Sequence, residues 1–557
     1  MESERSVMEP QSSDPSGEPE KGSDNIQIST STTAVGLNEY VKVYPHGPRL
    51  WLMAFTLAVM VFLVVLEIPI VPTSLVSISN DIGGFDSLSW VLSGYLLGRV
   101  GVMVILAKLS DIVGRKLVFT SSIAMFIVFS GACGGAQTIT QLIVFRALQG
   151  VGGGGAYSLS TVIITELVSP GKLAKATAQL SMITTFANIL GPIIGGAIAN
   201  DTSWRWIFLI NVPIAAAALL VAVVAIPRSF PYKEHLQDGD PARSLPSKPR
   251  FNRLDIMGTI LLLLATVTFS AGFEEADSRF PWRSAYVITL ISVSGLAWIA
   301  LLVWERKVTL ANGPQEPVLP WRFFTNRSMV AILLMFFLLG GPLVVTAYQI
   351  PQTFQLVYGF NGLDAGVRLV PFMALWSVGL LIATTLAGRL RVPPLYIIFV
   401  GSCIQTVGFG LLGTLPLSLI VPNQIYGYEV IAGLGSGLVF PLLFVMIPFV
   451  TEGRDRAVGM AAGSQFQVLG SVILLAVATS VFNNYTRPRI GSLLGASGSE
   501  SLFSLGEALE SVSFEAQDEI RLTLAEGYNR QSLVLCGASG VQLLATPLLW
   551  KRKQTTV

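Results

Sequence analysis

The chain has 557 residues, of which 52% are hydrophobic and only 13% are charged. Soluble domains carry about 25% charged residues, so this composition excludes an ordinary soluble protein. The net charge of +2 gives no basis for binding nucleic acid. Cys133, Cys403 and Cys536 all lie in apolar runs, which argues against a disulfide framework and against a thiolate metal site. The composition therefore predicts a polytopic membrane protein.

The chain begins with a polar segment, residues 1–48, which is rich in Ser, Glu and Pro. We expect this segment to be a disordered cytoplasmic tail. Fourteen apolar stretches follow, each long enough to cross a bilayer core of about 30 Å as a helix, and we number them span 1 to span 14. They centre on residues 50–75, 88–107, 117–134, 140–165, 174–199, 204–226, 255–273, 282–304, 329–358, 364–387, 394–415, 422–450, 458–482 and 530–549.

Lys and Arg residues are concentrated in the loops that share a side with both termini. Cytoplasmic loops carry this excess, so both termini are expected in the cytoplasm. An Asn-Tyr-Thr sequon then places a predicted glycosylation site, Asn484, on the outside. The predicted segments after the tail are an N-terminal six-helix bundle (49–228), a cytoplasmic loop (229–254), a two-helix insert (255–305), a C-terminal six-helix bundle (328–550) with an outer loop (483–529), and a cytoplasmic tail (551–557).

Spans 4 and 12 contain an internal repeat. Arg146 in span 4 and Glu429 in span 12 are each followed by glycines four, six and eight residues later. Glycines in apolar spans allow neighbouring helices to approach closely, and no phosphate-binding loop fits this context. The repeat pairs spans 1–6 with spans 9–14. Parallel halves around a central cavity are typical of secondary transporters that rock between two openings.

Two short motifs stand out. The connection between spans 2 and 3 carries Asp111, Gly114, Arg115 and Lys116, which an ordinary positive-inside turn would also explain. Span 5 contains Gly191, Pro192, Gly195 and Gly196, and such a run produces a bent helix that packs closely on its neighbours.

These motifs resemble three signatures of the major facilitator superfamily. Leu109–Lys116 is similar to its loop-2/3 signature, Arg146 with Gln149, Gly150 and Gly152 to its fourth-helix motif, and the span 5 run to its antiporter motif. The fourteen spans and the segment Trp204–Pro213 further resemble the 14-spanner drug:proton antiporters, above all the fungal efflux pumps for toxins and secondary metabolites. Two positions depart from the pattern: Ala107 replaces a glycine, and Glu67 replaces the usual aspartate of span 1.

The resemblance implies an all-α polytopic fold of two six-helix bundles plus two inserted helices, driven by the proton gradient without a cofactor or metal. Glu67 lies about 25 Å along span 1, and Arg146 lies about 9 Å from the outer end of span 4, so the two depths agree within roughly one turn. An opposite charge nearby favours an ionised carboxyl. We therefore expect Glu67 and Arg146 to pair and to couple proton uptake to transport.

Other polar groups in the spans are candidates for the substrate cavity. Charged groups inside a bilayer are costly and point to function, although snorkelling, structural pairing or a hydrated rim position are alternatives here. The spans carry two acidic and three basic groups, so an acidic or neutral organic substrate is expected. The cavity candidates are Arg99, Tyr348, Gln349, Gln355, Arg368 and Glu429.

The sequence thus predicts a proton-coupled efflux transporter for a small organic compound, acting as a monomer in the plasma membrane, with the vacuolar membrane as the alternative. An importer or facilitator of a solute such as a siderophore or sugar is a second interpretation, and a non-transporting membrane sensor is a third. No nucleophile–base pair appears in the spans, so an enzyme is not expected.

Overall fold

The computed structural model describes residues 40–42, 47–71, 74, 78, 81–83, 89–168, 170–227, 230, 233–235, 255–276, 280–311, 315–360, 362–494 and 513–551. The predicted tail before residue 40, most of the loop 229–254 and the final residues 552–557 lie outside this description. Two short strands fall in segments expected to be irregular: Tyr40–Lys42 pairs antiparallel with Lys233–His235.

Every predicted span is helical. The helices are Pro48–Ile70 (span 1), Ser89–Val113 (2), Arg115–Gly134 (3), Ile139–Leu167 (4), Pro170–Asp201 (5), Trp206–Leu209 with Asn211–Ala225 (6), Ile256–Glu275 (7), Ala285–Ala311 (8), Arg327–Leu356 (9), Gly362–Val367 with Val370–Gly388 (10), Pro394–Leu412 (11), Gln424–Val450 (12), Arg456–Leu494 (13) and Phe514–Ala545 (14). Short helical turns precede spans 9 and 13 and follow span 14, at Trp321–Thr325, Gly453–Asp455 and Thr546–Leu549.

Thirteen of these helices are long and apolar enough to cross a membrane, counted within the described residues. Span 4 is the exception because glycines and hydroxyl side chains dilute its hydropathy. Its 29 residues still extend about 44 Å, and most of them are buried against other helices rather than exposed at the bundle surface. A helix shielded by its neighbours does not need an apolar lipid-facing stripe.

The helices pack as two bundles and an insert. One apolar core is built mainly from spans 1–6 and another mainly from spans 9–14, and each also includes a few residues of the other lobe. Spans 7 and 8 pack on each other, and span 7 also contacts spans 2 and 13. The two bundles, which we call the N lobe and the C lobe, meet mainly where span 5 packs on span 10 and where span 2 packs on span 13.

The glycine repeat has a geometric basis. A Cβ added to Gly150 in span 4 would lie 2.2 Å from the backbone oxygen of Tyr95, and one added to Gly433 in span 12 would lie 2.2 Å from that of Phe372. The two lobes therefore use the same close approach, without room for a side chain. The relation continues one turn further, where Gly154 faces Arg99 and Gly437 faces Trp376.

The predicted bounds of the outer loop, residues 483–529, are wrong, because both ends of this segment are helical. Span 13 continues to Leu494 and span 14 begins at Phe514, so only 495–512 remains between them, outside the described residues. The added turns bury their own small apolar cluster, which is why they are helical despite a polar sequence. Its members are Val357, Phe482, Ile490, Ile520, Leu524, Ala525 and Tyr528.

This extension changes the interpretation of the sequon. Asn484 is exposed, but it lies inside the helix of span 13 rather than in a loop. The Thr486 hydroxyl is buried and donates to the backbone oxygen of Phe482 at 2.9 Å. The surface loop that an acceptor site calls for is therefore absent around Asn484.

Candidate functional site

The signature loop joins spans 2 and 3 through a single residue. Gly114 has a φ of 114°, which L-residues with a side chain rarely adopt, so glycine is required for the reversal. Arg115 then folds back as a buried hub, pairing with Asp111 and, at 2.9 Å, with Glu166 at the end of span 4. An ordinary positive-inside turn would leave this arginine solvated. We call the membrane side that holds this loop the signature face, and the other side the opposite face.

Two lysines extend the network of the signature loop. Lys116 Nζ donates to the backbone oxygen of Val223 in span 6 at 2.5 Å. Lys108 Nζ pairs with Glu316 at 2.5 Å, and Glu316 belongs to the segment that leads from the insert into span 9. The loop therefore ties span 2 to span 4, span 6 and the C-lobe entrance. The roles of Lys108, Glu166 and Glu316 were missed from sequence because each resembles a solvated loop charge.

Glu67 lies at the centre of the N lobe. Its side chain is fully buried, and it forms an ion pair with Arg146, which is also fully buried. Gln149 Nε2 donates to Glu67 Oε1 at 2.9 Å, and Asn211 Nδ2 donates to the same oxygen at 2.5 Å. Spans 1, 4 and 6 thus supply one carboxylate, one guanidinium and two amides. The prediction that Glu67 and Arg146 meet is confirmed, and Asn211 is an additional partner.

Arg146 is held from several sides. Its Nε donates to the backbone oxygen of Val91 at 3.0 Å, and its Nη1 donates to Gln149 at 2.7 Å. The guanidinium carbon lies 4.4 Å from the ring centre of Tyr95 and 5.4 Å from that of Phe208. Aromatic faces attract a desolvated cation, so they stabilise the arginine even when its carboxylate partner changes charge. The site can hold Glu67 ionised, yet it offers Arg146 other contacts.

The glycine and proline run of span 5 packs against the helix that carries Glu67. A Cβ on Gly191 would lie 2.4 Å from Pro69 Cγ, two residues beyond Glu67, so span 5 packs directly on the end of span 1. Pro192 lies inside the helix and approaches Gly366 of span 10, where an added Cβ would be 3.5 Å from its ring. Gly195 is buried, and Gly196 has open space around it.

A cavity lies between the two lobes. Its walls come from spans 4 and 5 on one side and spans 12 and 13 on the other: Tyr157, Thr161, Ile164, Leu180, Thr184, Phe440, Phe444 and Met460. Its span 4 residues precede Glu166, which binds the signature loop, so the cavity occupies the half of the interface nearer the signature face. The Arg99 guanidinium carbon lies 4.4 Å from the ring centre of Tyr157.

Comparisons with known proteins agree with this architecture. Residues 50–475 match the Major Facilitator Superfamily. The chain belongs to the major facilitator superfamily. It is 36% identical over 532 residues to the MFS-type transporter FPY5 of Fusarium mangiferae, covering 96% of this chain and 89% of that one. It is also 30% identical to Multidrug resistance protein 3 of Bacillus subtilis (strain 168), covering 79% and 82% of the two chains.

Among solved structures, the human organic anion transporter MFSD10 superimposes with a TM-score of 0.55 at 15% identity, covering 91% of this chain and all of that one. At such low identity the likeness shows the fold alone. The fold prediction, an all-α major facilitator fold with an inserted helix pair, is confirmed. The protein is an integral membrane transporter of small molecules, and its superfamily relatives place it among transporters rather than enzymes.

The remaining candidates for the substrate cavity lie in different parts of the structure. Gln349 lies inside the C lobe, where its Nε2 donates to the Tyr528 backbone oxygen at 2.8 Å and to Ser532 Oγ at 2.7 Å. A second cavity, which Gln349 lines, belongs to spans 9, 11, 12 and 14 and not to the lobe interface. Tyr348 is half-buried, and Gln355 is exposed.

The two charged candidates of the C lobe also lie away from the interlobe cavity. Arg368 stacks its guanidinium 3.7 Å from the ring centre of Phe360. Glu429 is fully buried, so its predicted hydrated rim position is wrong. Arg99 contacts Tyr157, which lines the cavity between the lobes. Sequence depth alone could not distinguish a side chain that faces the cavity from one that faces its own lobe.

Proposed function

We propose that this protein is a proton-coupled exporter of a small organic compound, working by alternating access. The observation that carries the proposal is the buried Glu67–Arg146 ion pair beside the helix contact of Gly191. Breaking a buried pair by removing one charge costs about 3–5 kcal/mol, because the other charge is left uncompensated. A conformational change that separates the two groups is therefore easiest when Glu67 takes up a proton.

The proposed cycle follows from this linkage. With the outside open, Glu67 binds a proton and Arg146 turns to its aromatic and backbone contacts. With the cytoplasm open, Arg146 returns, favours the ionised carboxylate, and the proton leaves inward while cargo binds. The buried amides of Gln149 and Asn211 support the ionised form because both donate to Glu67 Oε1.

The proposed cargo is acidic or neutral. The cavity between the lobes is lined by aromatic, aliphatic and hydroxyl side chains, which is the kind of lining that small-molecule sites usually have. Arg99 is buried beside it, and its Nε has no hydrogen-bond partner among the described residues, which supports a role in binding an anionic or acceptor group. We place both termini in the cytoplasm and the protein, as a monomer, in the plasma membrane.

The test uses purified protein in sealed vesicles with an imposed pH gradient. The probes are a fluorescent carboxylate dye, a neutral dye and a quaternary ammonium dye. Glu67→Gln should abolish gradient-driven movement of the transported dye while equilibrium binding persists. The matched control is Glu515→Gln, which changes an exposed carboxylate at the start of span 14 and should transport normally.

Each part of the proposal can fail separately. Unaltered gradient-driven transport in Glu67→Gln would refute proton coupling at this residue. Efficient transport of the ammonium dye without the carboxylate dye would refute the substrate class. Accumulation of dye in the direction of the proton gradient would identify a symporting importer instead.

A further inference from the structure

The C lobe contains a carboxylate that the proposed cycle does not use. Glu429, five residues from the start of span 12, is fully buried. Neither of its oxygens has a hydrogen-bond partner within the described part of the chain. A buried carboxylate without donors or a counter-charge is strongly disfavoured, whereas a neutral carboxylic acid is tolerated. This conformation therefore suits protonated Glu429.

The repeat shows what lies next to Glu429. Gly150 faces Tyr95 in the N lobe as Gly433 faces Phe372 in the C lobe. Four residues earlier on each helix, this register pairs Arg146 with Val91 and Glu429 with Arg368. Arg146 Nε donates to the Val91 backbone oxygen at 3.0 Å, so those two positions are neighbours in the N lobe. The positions in the C lobe that correspond to these two by the repeat carry a carboxylic acid and an arginine.

Arg368 is turned away from Glu429 in this conformation. Its guanidinium carbon lies 3.7 Å from the ring centre of Phe360 and 5.4 Å from that of Phe354, and its Nη1 donates to the Asp364 backbone oxygen at 2.9 Å. Its Nε has no hydrogen-bond partner among the described residues. Arg368 also lies at the break in span 10, between Gly362–Val367 and Val370–Gly388. A break of this kind permits a local change of backbone direction.

The opposite face is closed where span 10 meets span 5. Pro192 and Gly366 approach each other there, two residues before Arg368. We propose that Glu429 and Arg368 form a proton-operated latch of the opposite face. Protonated Glu429 stays buried while the face is closed. When Glu429 loses its proton, it pairs with Arg368, span 10 moves at its break, and the contact with span 5 opens.

Among the charged groups around span 12, Arg368 is the partner that we assign to Glu429. The charged and titratable groups on the elements packed against span 12 are Asp364, Arg368 and Arg389 on span 10, Arg327, Tyr348 and Tyr358 at span 9, Tyr396 and Cys403 on span 11, Lys172, Lys175 and Asp201 on span 5, and Arg456, Tyr485, Arg487 and Arg489 on span 13. Of these groups, Arg368 occupies the position that corresponds by the repeat to Val91, the neighbour of Arg146. The inference rests on the proposed alternating access, but not on the cargo or on Glu67.

The test measures opening of the opposite face by single-molecule fluorescence in lipid nanodiscs without cargo or gradient. Dyes are attached at Thr202→Cys in the N lobe and Ile420→Cys in the C lobe, both exposed, after the three native cysteines are replaced. The unmodified pair should lengthen its dye distance as pH rises. Glu429→Gln, which is permanently neutral, should keep the short distance at every pH.

Three further variants sharpen the result. Arg368→Gln should raise the pH midpoint of opening by about one unit or more, because the ionised acid loses its counter-charge. Arg389→Gln, an exposed arginine at the other end of span 10, should leave the midpoint unchanged. Glu429→Leu should stay closed and unfold at a higher temperature, since an apolar side chain suits the site better than an unpaired acid.

The latch would be overturned if Glu429→Gln kept the pH response of the unmodified pair, or if Arg368→Gln and Arg389→Gln behaved alike. A lower unfolding temperature in Glu429→Leu would also contradict it. Because no cargo is present, these outcomes are independent of the vesicle assay. Failure of Glu67→Gln to abolish transport would refute the proposed coupling while leaving the latch result intact.

Discussion

Replacing Gly191 by alanine tests whether the span 5 run acts by close packing. The new Cβ would lie 2.4 Å from Pro69 Cγ and 2.9 Å from Pro69 Cβ. Carbon atoms in contact are about 3.5 Å apart, so spans 1 and 5 would have to separate by about 1 Å. Overpacking of this kind costs about 1–3 kcal/mol. Because Pro69 follows Glu67 by two residues, the shift would also disturb the ion pair with Arg146.

The same helix offers a matched control. An added Cβ on Gly196 meets no atom within 4 Å, although this glycine belongs to the same run. Both variants carry one extra methyl group. In both, alanine replaces a glycine in the helix interior, and this replacement by itself stabilises a helix by about 1 kcal/mol. We expect Gly191→Ala to unfold at a lower temperature than the natural protein, and Gly196→Ala to unfold at the same or a slightly higher temperature.

Thermal unfolding of the purified protein in detergent, followed by the loss of the monodisperse species, measures the difference, and the vesicle assay measures transport. Gly191→Ala should also lose transport rate while Gly196→Ala retains it. Equal unfolding temperatures for the two variants would refute the packing argument. Destabilisation by Gly196→Ala alone would show that the helix contact lies elsewhere in the run.

Three further predictions concern hydrogen bonds and helix packing. Asn211→Ala should raise the pH of half-maximal transport by about one to two units, because the ionised form of Glu67 loses a donor worth about 1.5–3 kcal/mol. An unchanged profile in the vesicle assay would contradict this. Gly433→Ala should destabilise the protein whereas Gly427→Ala, with open space around it, should not, as measured by thermal unfolding. Glu166→Gln should lower the transport rate by releasing the arginine of the signature loop, with normal dye binding as the control measurement.

The sequence by itself determined the number and order of the membrane helices. Each span has to cross the same apolar layer and satisfy its backbone internally, so its length and composition are readable without knowing its neighbours. The pairing of Glu67 with Arg146 was also predictable, because two opposite charges at one depth in a low-dielectric bundle have few other partners. The repeat of spans 4 and 12 was visible because close helix contacts demand glycine at fixed spacing.

The tertiary structure decided which way each polar side chain faces. In sequence, Asn211 resembles an ordinary polar amide and Glu166 resembles an ordinary loop charge. In the structure, Asn211 donates a hydrogen bond to Glu67, and Glu166 forms an ion pair with Arg115. Glu274, near the end of span 7, accepts a hydrogen bond from Ser93 of span 2 at 2.5 Å. These partners come from distant parts of the chain, so no local sequence pattern predicts the contacts.

The same limit explains the errors in the C lobe. Gln349 has the depth of a cavity residue, but span 9 turns it into the C lobe, and Glu429 is fully buried rather than hydrated. The polar ends of spans 13 and 14 are helical because they bury a cluster together. A hydrophobic layer constrains where a helix crosses, whereas its rotation about its own axis and its last turns depend on the surfaces that it meets.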